Sequence, residues 1–194
     1  MKVIAFNGSP RNEGNTSLLI RCTLQEIEKE GIKTEIIHIG SEKIHGCTAC
    51  MKCFEKKDQK CVYDDDVLNS CIEKMISADG IIIASPTYFA DMTPETKALI
   101  DRSGFVAMAN GNLFSRKCGA GISVARRAGA VTTVDSINHF FGINDMITIG
   151  STYWNIGIGF APGDVEGDEE GMQTMRRLGQ NMAWQIRMAN HQIK

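Results

Sequence analysis

The stretch Lys2-Val-Ile-Ala-Phe6-Asn7-Gly8-Ser9-Pro10-Arg11-Asn12-Glu13-Gly14-Asn15-Thr16-Ser17 decides how the rest of the chain is read. Its first part is a β-branched and aromatic run that stops at Asn7-Gly8, the composition of a strand closed by a turn. Its last part offers Thr16 as a helix cap, followed by Leu18, Leu19, Cys22 and Ile27 at helical spacing until Gly31. The loop between them has the chemistry of a phosphate cradle. A helix N-terminus presents free N–H groups and a partial positive charge, and Gly8 and Gly14 allow the tight turns that bring backbone close to an anion. Ser9, Asn15, Thr16 and Ser17 add short donors, and Arg11 adds a guanidinium, each charge-assisted bond contributing roughly 1.5 to 3 kcal/mol. Five residues separate Gly8 from Gly14 and no Lys follows, so this is not a G-x-x-x-x-G-K loop, and no G-x-G-x-x-G occurs in the chain. The plain alternative is a polar turn that only caps a helix.

Working outward, the same alternation repeats. Lys33 to Ile39, Gly80 to Ala84, Gly119 to Val124 and Met146 to Ile149 read as further strands. Between them, Asp65 to Ser77, Pro94 to about Arg102 and Ala130 to Phe141 read as helices, with Pro94 at a favoured first-turn position. Residues 153–167 are glycine-rich and expected to be irregular. A last helix sets Met172, Met175, Leu178, Met182, Ile186, Ala189 and Ile193 on one stripe, expected to face the core rather than a partner. Five strands alternating with helices imply right-handed crossovers and a parallel sheet covered on both faces, an α/β domain whose ligands sit at the carboxyl ends of the strands. No linker or repeat divides residues 1–194, so one domain is expected.

Bulk composition narrows the class. With 43% hydrophobic and 23% charged residues, extensive disorder is excluded. A net charge of −2 gives no electrostatic reason to bind nucleic acid or an anionic membrane. No signal peptide or membrane-spanning run is seen, which leaves the cytoplasm as the expected compartment, where thiols stay reduced and seven cysteines are better explained by metal or redox use than by disulfides.

Two more loops are expected on the edge that carries Gly8–Ser17. Ser85-Pro86-Thr87-Tyr88-Phe89 follows the third strand and offers aromatic surface and polar groups of the kind a flat heteroaromatic ring requires. Ala125-Arg126-Arg127-Ala128-Gly129 follows the fourth, and its arginines either offset negative charge on a ligand or are simply solvated. Taken alone, the aromatic turn is equally a cap on the core.

The segments GSPRNEGNTS and SPTYFADMTPETKALIDR together resemble the NAD(P)H-dependent FMN reductase and iron-sulfur flavoprotein group, and the likeness extends to ARRAG, GSTYWN and DEEGM. It implies a three-layer flavodoxin-like fold with a five-stranded sheet in the order 2-1-3-4-5. It also implies FMN, with phosphate contacts from Ser9, Arg11, Asn15, Thr16 and Ser17 and ring contacts from Pro86, Thr87, Tyr88 and Phe89, Arg126 and Arg127 lying nearby. Members of the group form homodimers or homotetramers with FMN near the subunit boundary.

Cys47-x2-Cys50-x2-Cys53-x7-Cys61 lies in a long loop at 40–64. Three cysteines at three-residue intervals and a fourth from the loop's end can converge on a [4Fe-4S] cluster, similar to ferredoxin spacing and to the compact motif of iron-sulfur flavoproteins. Zinc, which favours two separated C-x2-C pairs, and free thiols are the alternatives. Lys52, Lys56, Lys57 and Lys60 either temper the charge of such a site or solvate the loop. Cys22, Cys71 and Cys118 read as small core residues, and no histidine has ligand spacing. Because the loop follows the second strand, it is expected on the flavin edge of the sheet.

These readings favour an oxidoreductase in which the chemistry occurs at FMN N5, without a protein nucleophile, and electrons pass between FMN and an external carrier such as ferredoxin, with the cluster as intermediary. One alternative is a flavin-only NAD(P)H-dependent reductase of FMN, quinones or nitro compounds. Another is a non-enzymatic redox or metal sensor.

Overall fold

The computed structural model describes residues 1–191, so the expectation for Ile193 lies outside the described residues. The strands are β1 (Lys2–Asn7), β2 (Lys33–His38), β3 (Gly80–Pro86), β4 (Cys118–Ala125), β5 (Ile147–Thr148) and β6 (Ile156–Ile158). The helices are α1 (Asn15–Lys29), α2 (Lys52–Lys56), α3 (Leu68–Ser77), α4 (Pro94–Ala109), α5 (Ala130–Ile143) and α6 (Glu169–His191). All strand pairings are parallel, in the order β2-β1-β3-β4-β5, with β6 also on β4.

Alternation along the central strands divides the core in two. Val3, Ala5, Ile82 and Ala84 face α1 and α6, whereas Ile4, Phe6, Ile81 and Ile83 face α3, α4 and α5. Each of these isoleucines is wholly buried, contributing about 1.5 to 3 kcal/mol relative to exposure. Met175, Leu178, Met182 and Ile186 of α6 pack into the first core, so the methionine stripe faces inward. Among the described residues no helix is long and apolar enough to cross a membrane.

Three expectations need correction. The sheet has six strands, not five. β5 pairs with Cys118–Gly119 and β6 with Ser123–Ala125, so the last edge position is filled by two short pieces and the segment between them loops out. α4 continues well past Arg102 to Ala109, because Ser103, whose hydroxyl donates to the Leu99 carbonyl at 2.6 Å, and Gly104 interrupt the apolar pattern without breaking the helix. The loop at 40–64 contains α2, a single short turn that no periodicity announces.

Candidate functional site

β1, β3 and β4 end side by side, and their following loops enclose a cavity of about 240 Å³. Ser9, Arg11, Asn15, Thr16, Pro86, Thr87, Tyr88 and Arg126 line it, as do Pro10, Gly14, Val124, Gly159 and Phe160. Its floor is the start of α1, where the amides of Asn15, Thr16 and Ser17 have no protein acceptor among the described residues. The loop is held from behind. Asn7 Oδ1 accepts from the Ser9 amide at 3.0 Å, Ser9 Oγ accepts from the Arg11 amide at 3.1 Å, and His38 Nε2 lies 2.6 Å from the Ser9 carbonyl. Gly8 is required by close approach, since a Cβ there would stand 1.9 Å from Thr96 Oγ1.

Not every expected residue faces the cavity. The Asn15 side chain is committed elsewhere: Nδ2 donates to the Ala161 carbonyl at 2.9 Å, and Oδ1 accepts from the Gly163 amide at 2.9 Å. It thereby ties the 159–165 segment to α1, and a Cβ on Gly159 would come within 2.8 Å of its Nδ2. Ser17 is buried outside the lining, and Arg127 does not reach it. The Thr87 hydroxyl sits between Ser123 Oγ (3.0 Å) and Thr133 Oγ1 (3.2 Å) and its amide donates to the Val124 carbonyl at 2.7 Å, so only its carbonyl and methyl remain for a ligand. Phe89 is fully exposed at the tip of a tight turn in which Tyr88 and Asp91 pair, with φ of 50° at Phe89 and 65° at Ala90. Phe160 was missed, because the glycine-rich tail carries no periodic signal; the Arg126 guanidinium lies 5.1 Å from the centre of its ring, a cation–π arrangement.

The cysteine loop forms a second site. Cys47, Cys50, Cys53 and Cys61 line one small cavity, closed by Met51, Val62, Tyr63, Arg102, Phe105 and Val106. Left-handed backbone at Ala49, Met51, Lys57 and Gln59 turns the loop back on itself. Cys47 and Cys50 are exposed, Cys53 and Cys61 half-buried, and burial pushes the Cys53 thiol up. A tetrahedral zinc would bring sulfurs to about 3.8 Å from one another, given Zn–S bonds of about 2.3 Å. Yet the one trio of His, Cys, Asp or Glu ligand atoms within 4.8 Å among the described residues is His45, Asp65 and Asp66. The thiols therefore surround a shared space without the spacing of a single-ion site. That trio does bring His45 into a ligand-like group, which sequence spacing gave no reason to expect; its Asp66 is already paired with Arg102.

The cysteine cavity lies between the start of α3, where the Cys61 amide donates to Asn69 Oδ1 at 2.8 Å, and the side of α4. The loop leaves β2 at the carboxyl edge but runs down α4, where Arg102 lies about 12 Å along the axis from Pro94 at 1.5 Å per residue. Gln59 reaches the far end, its amide donating to Asn110 Oδ1 at 3.0 Å. The two cavities share no lining residue.

Residues 1–161 match the family model described as NADPH-dependent FMN reductase. The chain belongs to that family. It is 40% identical to an iron-sulfur flavoprotein of Methanocaldococcus jannaschii, over 97% of this chain and 98% of the relative. It is 36% identical to an iron-sulfur flavoprotein of Methanosarcina thermophila, over 94% and 93% of the two chains. Among solved structures it superposes on RosB with a TM-score of 0.79 at 20% identity, covering 98% of this chain and 81% of that one. An archaeal flavodoxin superposes with a TM-score of 0.62 at 15% identity, over 96% and 99%. The fold is flavodoxin-like, and this member of the FMN reductase family is an FMN-dependent oxidoreductase.

The cavity at the strand ends suits FMN. A phosphate requires unpaired N–H groups at a helix start, and three are present. The remaining lining, with Tyr88 and Phe160 beside Pro86 and Val124, offers the mixed aromatic and backbone surface a flavin ring needs.

Proposed function

We propose that the protein is an iron-sulfur flavoprotein that passes electrons between an external carrier and FMN, with a [4Fe-4S] cluster held by Cys47, Cys50, Cys53 and Cys61. The observation that carries this reading is that all four cysteines of a sequence-separated motif line one cavity whose walls include a guanidinium. The names of the relatives, alike over nearly the whole chain, support it.

At the flavin site, the amides of Asn15, Thr16 and Ser17, the Ser9 and Thr16 hydroxyls and Arg11 bind the phosphate. Asn15 acts through its backbone, while its side chain positions the 159–165 segment. Pro86, Thr87 and Tyr88 present backbone and ring surface to the isoalloxazine, and Arg126 lies where it balances negative charge. Phe89, Ser17 through its hydroxyl, and Arg127 are not direct contacts within one chain. Bound FMN supplies electron and hydride chemistry at N5, and the chain's residues orient it and shape its charge environment. The donor or acceptor is ferredoxin or NAD(P)H. Exposed Tyr88, Phe89 and Phe160 at the mouth of the site support the dimer or tetramer that the family resemblance implies.

Anaerobic purification followed by a visible spectrum and assays of iron, sulfide and released flavin tests the proposal. The expected result is FMN with about four irons per chain. Flavin without iron or sulfide assigns the chain instead to the flavin-only NAD(P)H-dependent reductases, and rapid bleaching of FMN by NAD(P)H would then identify the donor.

A further inference from the structure

Arg102 is the largest fully buried side chain among the described residues, and neither the flavin site nor the sheet uses it. From the middle of α4 its Nη1 donates to the Asp66 carboxylate and to the His45 carbonyl at 3.2 Å. Its Nη2 donates to Cys61 Sγ at 3.3 Å and to the Tyr63 carbonyl at 3.2 Å. Its Nε is buried without an acceptor among the described residues. One planar fork thus clasps both ends of the cysteine loop, just before Cys47 and at Cys61 itself. Only a guanidinium can reach a carboxylate, two carbonyls and a sulfur at once; a lysine has a single point of charge.

Fold stability does not account for this arrangement. Burying an ion pair costs desolvation that its attraction barely repays, and apolar residues of the same volume commonly serve as well or better. What the pair does distinctively is place a charged donor on one sulfur. Among the described residues, Cys47 Sγ accepts only a backbone amide, from Ala49 at 3.4 Å, and Cys61 alone receives a bond from a cationic side chain.

Resting on the cluster reading above, we propose that Arg102 is a positioning residue for Cys61 and the principal setter of the cluster's reduction potential, with Asp66 as its counterweight. Adding one electron to a thiolate-bound cluster increases its negative charge. A cationic hydrogen bond to a ligand sulfur therefore stabilises the reduced state more than the oxidised one and raises the potential. Asp66, held by the same guanidinium, opposes that effect, so its neutralisation raises the potential further.

The test compares wild type, Arg102→Lys and Asp66→Asn in the full-length, cluster-loaded protein. Asp66→Asn retains a side-chain oxygen for the Leu68 amide, which donates to Asp66 Oδ1 at 3.0 Å. Iron, sulfide and FMN are counted first, with FMN content as the folding control. The midpoint potential is then read by electron paramagnetic resonance in a mediated titration with dithionite as electron donor. Arg102→Lys is expected to shift the potential down and to release iron to a chelator several-fold faster; Asp66→Asn is expected to shift it up. Opposite shifts with FMN retained support the proposal, since mere damage to the loop has no reason to change sign. Arg102→Lys that keeps FMN but assembles no cluster supports the positioning role. If Arg102→Lys loses FMN as well, the Asp66→Asn shift decides. Unchanged potentials in iron-loaded variants overturn this inference alone, whereas a wild type without iron and sulfide overturns the cluster reading and this inference with it.

Discussion

At the scale of single residues, the flavin site depends on atoms that are absent. Gly8 lies where the Thr93 hydroxyl donates to its carbonyl at 2.8 Å and where Thr96 Oγ1 occupies the place of a side chain. Gly8→Ala forces the phosphate loop away from α4 and costs about 1 to 3 kcal/mol in overpacking. If that cost falls on the bound state, FMN affinity is expected to fall by roughly 5- to 150-fold, since each 1.4 kcal/mol is a factor of ten; quenching of FMN fluorescence on binding measures this, with far-ultraviolet dichroism unchanged. This glycine was legible in the sequence because a strand ending in Asn-Gly and opening a helix has few other uses. Arg102 was not legible. It stood at the apparent end of α4, and its partners come from residues 36 to 57 positions away, a relation no local pattern encodes.

Elements were readable in proportion to their length and periodicity. The buried central strands and α6 stand out because apolar residues recur at fixed intervals over many positions. α2 and β6, of five and three residues, are too short for any period to develop and are held in place by tertiary pairing. The turn after β3 was placed correctly but not its conformation. Its central residues, Phe89 and Ala90, both have positive φ, a geometry that favours Asn-Gly. Replacing them with Asn and Gly is expected to stabilise the protein by about 1 kcal/mol or more, the cost of holding non-glycine residues in that region. Urea denaturation reads the gain. If turnover falls while stability rises, Phe89 contributes to the mouth of the site.

At the scale of the molecule, charge ties the edge of the sheet to its helices. Glu35 on β2 is hydrogen-bonded by Lys2 on β1 and by Lys74 on α3, which hold its carboxyl below the usual range. Lys29 and Gln180 do the same for Glu26, bridging α1 and α6. A depressed carboxylate stabilises the fold above its unfolded pKa, near 4.3, and that contribution is lost as pH falls through the lower folded value. Stability to urea is therefore expected to change little from these groups between pH 7 and 5 and to decline below about pH 4.3. Glu35→Gln should reduce that decline by no more than about 1 kcal/mol, because the pair is partly solvated. Burial pushes the Cys71 thiol up to about 12 and the Cys118 thiol up to about 11, so neither contributes to the pH dependence of stability near neutrality.

The side-chain amide of Asn15 joins Ala161 and Gly163, 146 and 148 residues away, so the flavin cavity acquires one wall from a segment remote in sequence. A ribosome delivers the phosphate loop well before the segment that closes over it, whose contacts with Asn15 span 146 and 148 residues. Contacts of such wide separation form late, after the entropy of closing a long loop has been met. A nascent chain thus carries the cradle before it carries the wall that closes it. FMN capture is expected to follow synthesis of the 159–165 segment, since a chain that stops before it lacks that wall.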